Sequence, residues 1–299
     1  MRKILSILLL ALLPVFAFSD TLKIHDADLE QRYLEVTGAG TEADPHIPIN
    51  TSQDFLLQVA LGNVPGHKLY TITGRKDSMS TTVLDDLTQI PTTTVAPTPG
   101  GIQLEIVSSS TDDDGAPVGT GIRTLDLHYL DSSGLEQEET LILNGTTAVT
   151  TVATDINDVQ WMHALTVGTG GVAAGNITLR TVGGAGTDYE YITAGGNQSL
   201  SARYTIPAGK TGYIVGWQVS ANTQVVDFRL RATVERFDRF LIAGVFLFQD
   251  SAVLKESTTG WIPMPFTKVP AGAMIKLSGL SAASGGNGGG SFQILLVDD

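Results

Sequence analysis

Cysteine is absent from the 299 residues, so disulfides and thiolate metal centres are excluded. Aromatic residues make up only 7 %. Cationic residues are scarce as well: 18 Lys and Arg stand against 31 Asp and Glu, giving a formal charge of −13. A field of that sign repels phosphate backbones and speaks against a nucleic-acid partner. Beyond the first nineteen residues no apolar run is long enough to span a bilayer as a helix. The signatures of local chemistry are missing too. There is no GxSxG elbow, no P-loop and no HExxH. Gly119-Thr120-Gly121 and Gly168-Thr169-Gly170 lack the rest of a dinucleotide fingerprint and a following helix, so they read as turns.

What is present favours strands. Hydrophobic residues reach 42 %, enough for a core, and Val, Ile, Thr and Leu dominate the periodic segments. The clearest unit is residues 119–149. Leu125, Leu127 and Tyr129 alternate with Thr124, Asp126 and His128; Leu141 and Leu143 oppose Thr140, Ile142 and Asn144. Period-two alternation buries one face of a strand and wets the other. Asp131-Ser132-Ser133-Gly134 between the runs has turn chemistry, so the unit is an antiparallel hairpin.

Along the chain, residues 1–19 read as a signal peptide: Arg2 and Lys3, an apolar stretch from Ile4 to Phe18, and small residues at Ala17 and Ser19. Residues 20–100 are expected to be an N-terminal arm and a largely irregular or extended segment. Within it Asp26 to Leu34 suits a short helix, Phe55 to Ala60 alternates, and Pro91, Pro97 and Pro99 mark a boundary. The expected fold is all-β, with a first β-sandwich-like domain over 101–183 and a C-terminal β-sandwich or jelly-roll domain over 184–299. Two Pro-Ala-Gly corners, at 207–209 and 270–272, each precede a strand. Residues 240–248 read as a buried strand, Trp217, Trp261 and Phe266 as core, and Gly285 to Gly290 as a hairpin loop.

No catalytic, cofactor-binding or metal-ligating residue is assigned. The acidic loop Asp112-Asp113-Asp114-Gly115 lacks the alternation and distal Glu of a calcium loop and reads as a solvated turn. His25, His46, His67, His128 and His163 have no metal-ligand spacing and read as ordinary surface or boundary histidines. Glu138-Glu139 and Asp85-Asp86 read as charged faces rather than a glycosidase pair. Arg229, Arg231, Arg236 and Arg239 form a local basic cluster, read either as a subunit-contact patch or as charge protecting an edge strand.

Several segments also resemble, in their joint order, a family of β-rich virion structural proteins found in tailed phages and marine viral sequences. They are FLLQVALGNVPGH at 55–67 with Thr73-Gly74-Arg75, GTGIRTLDLHYLD at 119–131, and LNGTTAVTT at 143–151. NITLR at 176–180, YTIPAGKTGYIVGW at 204–217 and FQILLVDD at 292–299 follow. The resemblance runs from about Phe55 to the end and carries no catalytic motif. It implies a non-enzymatic, self-associating virion surface component, a head decoration or tail accessory, whose partners are copies of itself and other virion proteins. No cofactor or nucleic acid is implied, and a membrane enters only through the leader during export. The leader departs from that family's pattern. It favours the alternative of an exported, extracellular or surface-exposed bacterial adhesin or carbohydrate-binding module with a surface glycan as partner.

Overall fold

The computed structural model describes residues 21–25, 31–37, 47–48, 55–90, 98–184, 186–235 and 238–299. The proposed leader, residues 1–19, lies outside them. The chain divides into two compact units, Met1–Pro65 and Gly66–Asp299.

In the first unit, β1 (Thr21–His25), β2 (Gln31–Thr37) and β3 (Ile47–Pro48) form an antiparallel sheet, and α1 (Phe55–Ala60) follows. Two expectations change here. Residues 31–34 are strand, not helix. Residues 55–60 are helical, because Leu, Gln and Ala are good helix formers and a Gly sits at the right place to end the turn. Gly62, at φ 75°, donates to the Val59 carbonyl while Asn63 donates to that of Gln58, the paired bonds of a Schellman cap. Among the described residues no helix is long and apolar enough to cross a membrane.

The second unit is built of β4 (His67–Lys76), β5 (Asp85–Asp86), β6 (Leu104–Ser108), β7 (Ile122–Leu130), β8 (Glu136–Ile142), β9 (Val149–Thr150), β10 (Asp158–Val167), β11 (Ile177–Thr181) and β12 (Asp188–Ile192). It continues through β13 (Arg203–Thr205), β14 (Lys210–Ala221), β15 (Val226–Ala232), β16 (Leu247–Leu254), β17 (Ser257–Thr258), β18 (Ile262–Val269), β19 (Met274–Ser281) and β20 (Gly288–Asp298).

These strands make two sandwiches. The first packs the sheet β10-β7-β8 on β12-β11-β6-β9 around Leu104, Ile106, Leu125, Leu127, Met162 and Ile177. Its hairpin is the one the alternation predicts. Leu125, Leu127 and Tyr129 are buried, as are Leu141 and Leu143, whereas Ile142 is exposed. Asp131 Oδ1 accepts from the Ser133 and Leu135 amides, and Gly134 takes φ 77°. Residue 183 lies in the turn joining β11 to β12.

The second sandwich packs β13-β19-β15-β16 on β17-β14-β20-β4 around Tyr204, Trp217, Phe228, Leu277, Phe292 and Ile294. Here β4, from the expected arm, pairs along its whole length with the last strand, His67 opposite Val297 through Lys76 opposite Gly288. Gly288, Gly289 and Gly290 belong to β20 rather than to a loop. A side chain at Gly288 would strike Ser220 and Phe228, and one at Gly290 would strike Val219.

A buried polar seam joins the two cores. Arg203 Nη1 donates to Asp158 at 3.1 Å, Thr205 Oγ1 donates to the same carboxylate at 2.6 Å, and Gln160 bonds both the amide and the carbonyl of Thr205. Glu190 accepts from Ser201 at 2.7 Å, and its second oxygen is buried without a hydrogen-bond partner.

Candidate functional site

The most chemically furnished surface lies on the outer face of β7, the central strand of its sheet. Turning Leu125, Leu127 and Tyr129 inward necessarily turns Asp126 and His128 outward. The registers then build two rows. Asp126 sits between Thr140 on β8 and His163 on β10, and His128 between Glu138 and Trp161.

The side chains converge. His128 Nε2 lies 3.0 Å from Asp126 Oδ2, and its Nδ1 lies 3.3 Å from Glu138 Oε1. One ligand-capable atom from each of Asp126, His128 and His163 lies within 4.8 Å of the others. The His128 ring stacks on Trp161 at 4.4 Å and on His163 at 5.5 Å between centroids. Trp161 in turn meets Tyr70 at 5.5 Å and Tyr204 at 6.1 Å. Tyr204 Oη donates to Glu136 at 3.0 Å. Tyr70 and Trp161 border two depressions of about 270 and 310 Å³; the first also reaches His163 and Gln198, the second His128 and Glu138.

Burial sets the electrostatics of this face. It lowers the pKa of His128 against the opposing pull of Asp126 and Glu138, so the imidazole is biased to the neutral form. Burial, with help from Glu136, raises Tyr70 to about 12 and pushes Tyr204 higher still. Such a face offers a neutral imidazole at His128, carboxylate acceptors and aromatic walls. Taken singly in the sequence, the two histidines read as surface or boundary residues. The legible signal was Asp-x-His on a period-two strand, which forces both side chains onto one face; the third member, His163, depends on register.

The acidic loop is not a solvated turn. Asp113 is fully buried and accepts from Ser108 Oγ and from the amides of Ile122, Ala174 and Gly175 at 2.6 to 2.9 Å. Asp114, also buried, accepts from the Ala116 amide. Gly121 has to be glycine because a Cβ there would meet the Asp113 carboxylate. These carboxylates pin loops together. The adjacent acidic pairs are split likewise: Glu138 faces His128 while Glu139 accepts from the Val152 and Ala153 amides.

The basic cluster is brought together in part. Arg229 and Arg231 share the outer face of β15. Arg229 is held by Asp227 at 2.6 Å and lies over the Phe248 ring. Arg231 bonds Asp86 at 2.8 Å, beside Lys276, which reaches the same carboxylate at 2.8 Å. Arg239 donates to Gln249 at 2.8 Å. Arg236 lies outside the described residues.

Beside these groups runs an apolar edge that corrects three sequence expectations. Residues 240–248 are not a buried strand, and Trp261 and Phe266 are not core. Phe240, Leu241, Val245, Phe248, Trp261 and Phe266 are all 40 % or more exposed, whereas Trp217 is buried as expected. Gly244, at φ 74°, breaks the run, and regular pairing begins only at Leu247. Among the described residues β16 pairs only with β15 and β18 only with β14, so each is an edge. Trp217 Nε1 on β14 donates to Asp250 on β16, which places both edges on one flank of the sandwich.

No family model matches this chain, and no curated protein does. Among solved structures it is similar to particles of infectious bursal disease virus. The T13 viral particle is 12 % identical with a TM-score of 0.20, covering 82 % of this chain and 74 % of that one. The VP2 subviral particle is 9 % identical with a TM-score of 0.17, covering 82 % and 77 %.

Proposed function

We propose that this chain is a non-enzymatic structural protein of a virus particle, a surface component of head or tail that works through contacts with copies of itself. The observation that carries self-association is the β16–β18 flank. It has two unpaired edges, a band of exposed aromatic and aliphatic side chains, and all the non-glycine residues with positive φ among those described: Arg239 at 59°, Glu256 at 47° and Phe266 at 40°. A bulky residue such as Phe266 in that region is strained, and backbone strain of this kind clusters at functional sites. Exposed apolar patches rimmed by polar groups mark association surfaces. Arg229 and Arg239 flank the band on a chain of net charge −13, so the acidic surface of a second copy is its electrostatic complement. The viral setting rests on the ordered resemblance of residues 55–299 to virion structural proteins.

Sedimentation of the full chain should show a concentration-dependent oligomer, and Phe248→Lys with Val253→Lys should leave a folded monomer. Mass spectrometry of purified particles should contain the chain; its clear absence there would overturn the viral reading.

A second reading, a surface-exposed glycan-binding protein, draws on Tyr70 and Trp161 as aromatic walls of two depressions. Glycan-array binding that is lost in Trp161→Ala would favour it.

A further inference from the structure

We propose that Asp126, His128 and His163 form a binding site for one divalent transition-metal ion of the zinc class, which clamps β7 to β10. Two imidazoles and a carboxylate are the donor set such ions prefer, whereas calcium and magnesium want oxygen alone. The register supplies the geometry. Asp126 and His128 are two apart on one strand face, and His163 is directly opposite Asp126. All three donors lie within 4.8 Å of one another and all three side chains are half-buried. Donors around tetrahedral zinc sit roughly 3.3 Å apart, given bonds of about 2.0 to 2.1 Å. The 3.0 Å separation of His128 Nε2 from Asp126 Oδ2 lies close to this. The His163 ring has to reorient toward this pair to complete the set.

A second feature points the same way. His128 presents Nε2 to the cluster while Nδ1 faces Glu138 Oε1 at 3.3 Å. That is the carboxylate–histidine–metal arrangement, in which the outer carboxylate fixes the tautomer and leaves the other nitrogen's lone pair free for the ion. Glu138 is therefore a positioning residue. Trp161, stacked on His128, holds the ring plane and screens it from water.

The test uses the full chain, stripped of metal by chelation, titrated with Zn²⁺ by calorimetry and with Co²⁺ by visible absorption. One equivalent should bind and raise the melting temperature, and Co²⁺ should give the intense bands of a low-coordinate site. His163→Ala and Asp126→Asn should each weaken binding at least tenfold. Glu138→Ala should weaken it about tenfold, with partial rescue by Glu138→Gln. His67→Ala should change nothing. If a variant fails to fold, protection of His128 and His163 from histidine-directed acylation by one equivalent of Zn²⁺ reads the same site in the unmutated chain. Absence of stoichiometric binding, or an affinity untouched by His163→Ala and Asp126→Asn, would overturn the proposal, as would an equal response to Ca²⁺.

Discussion

Gly272 donates its backbone N–H to the carbonyl of Ile206 at 2.8 Å, and the Ile206 amide donates to the Ala273 carbonyl at 2.9 Å. The two Pro-Ala-Gly corners are thus bonded to each other, one leading into β14 and the other into β19, strands of opposite sheets. Proline presets φ and the glycine supplies the left-handed residue that lets each chain turn. Gly209 takes φ 73° and Gly272 takes φ 75°. Neither site is crowded, so the cost of a side chain there is conformational. Gly209→Ala and Gly272→Ala should each lose about 1 to 2 kcal/mol in urea unfolding, with Asn in place of Ala losing less. Unchanged midpoints would show that the corners do not hold these angles.

Asp113 should be among the most sensitive acidic residues of the first sandwich. Its carboxylate accepts four bonds at full burial, from the Ser108 hydroxyl and from the amides of Ile122, Ala174 and Gly175. An Asn at that position aims an N–H₂ group at amides that are themselves donors. Each buried donor left unsatisfied costs about 1 to 3 kcal/mol, so Asp113→Asn should destabilise by about 3 kcal/mol. Asp112→Asn, on the exposed neighbour, should be close to neutral. Equal effects at the two positions would contradict the buried hub.

Asp86 anchors β5 to the second sandwich. Burial disfavours its charge, yet Lys276, Ser278 and Arg231 outweigh burial and hold its pKa below the usual carboxylate range. Removing it strands two cations that are themselves largely buried. Asp86→Ala should cost about 3 to 5 kcal/mol, while Arg229→Ala, on a more exposed pair, should cost under about 1 kcal/mol. Thermal melts of the two variants decide it. The contrast also divides the basic cluster: Arg231 is tied into the buried Asp86 network, whereas Arg229 pairs with Asp227 at a more exposed position.

Much of the architecture was legible because burial leaves a period in the sequence. Leu127 alternates with Asp126 and His128, and the strand it marks is where the alternation puts it. The misreadings share a cause. Residues 240–248 and Trp261 are apolar without being buried, and hydrophobicity alone cannot separate a core strand from an exposed edge. Gly288 to Gly290 looked like a loop because glycine serves close strand packing as well as turns. The His128–His163 cluster was hidden because its members lie 35 residues apart and meet only through register. The buried carboxylates Asp113 and Glu190 carry no local sign at all, since their partners are backbone amides and distant side chains.

Glu190 yields a prediction with a definite sign. Burial raises its pKa from 4.5 to about 7, despite the stabilising charge of Arg203 and the Ser201 hydrogen bond. Between those values the folded chain keeps a proton that the unfolded chain has released. Folding stability therefore falls as pH rises from about 4.5 to about 7 and levels off above that, by roughly 3 kcal/mol for this group. Asp158, raised by burial in the same seam, adds to the slope in the same direction. Glu190→Gln keeps the shape and the acceptor for Ser201 but cannot ionise. The variant should match the parent near pH ~4 and exceed it by about 3 kcal/mol near pH ~8. Urea denaturation of both proteins across that range measures the difference directly, and titrating groups not coupled to Glu190 cancel. A gap that does not change with pH would mean that Glu190 titrates in the folded chain as it does in the unfolded one, Arg203 and Ser201 offsetting burial in full.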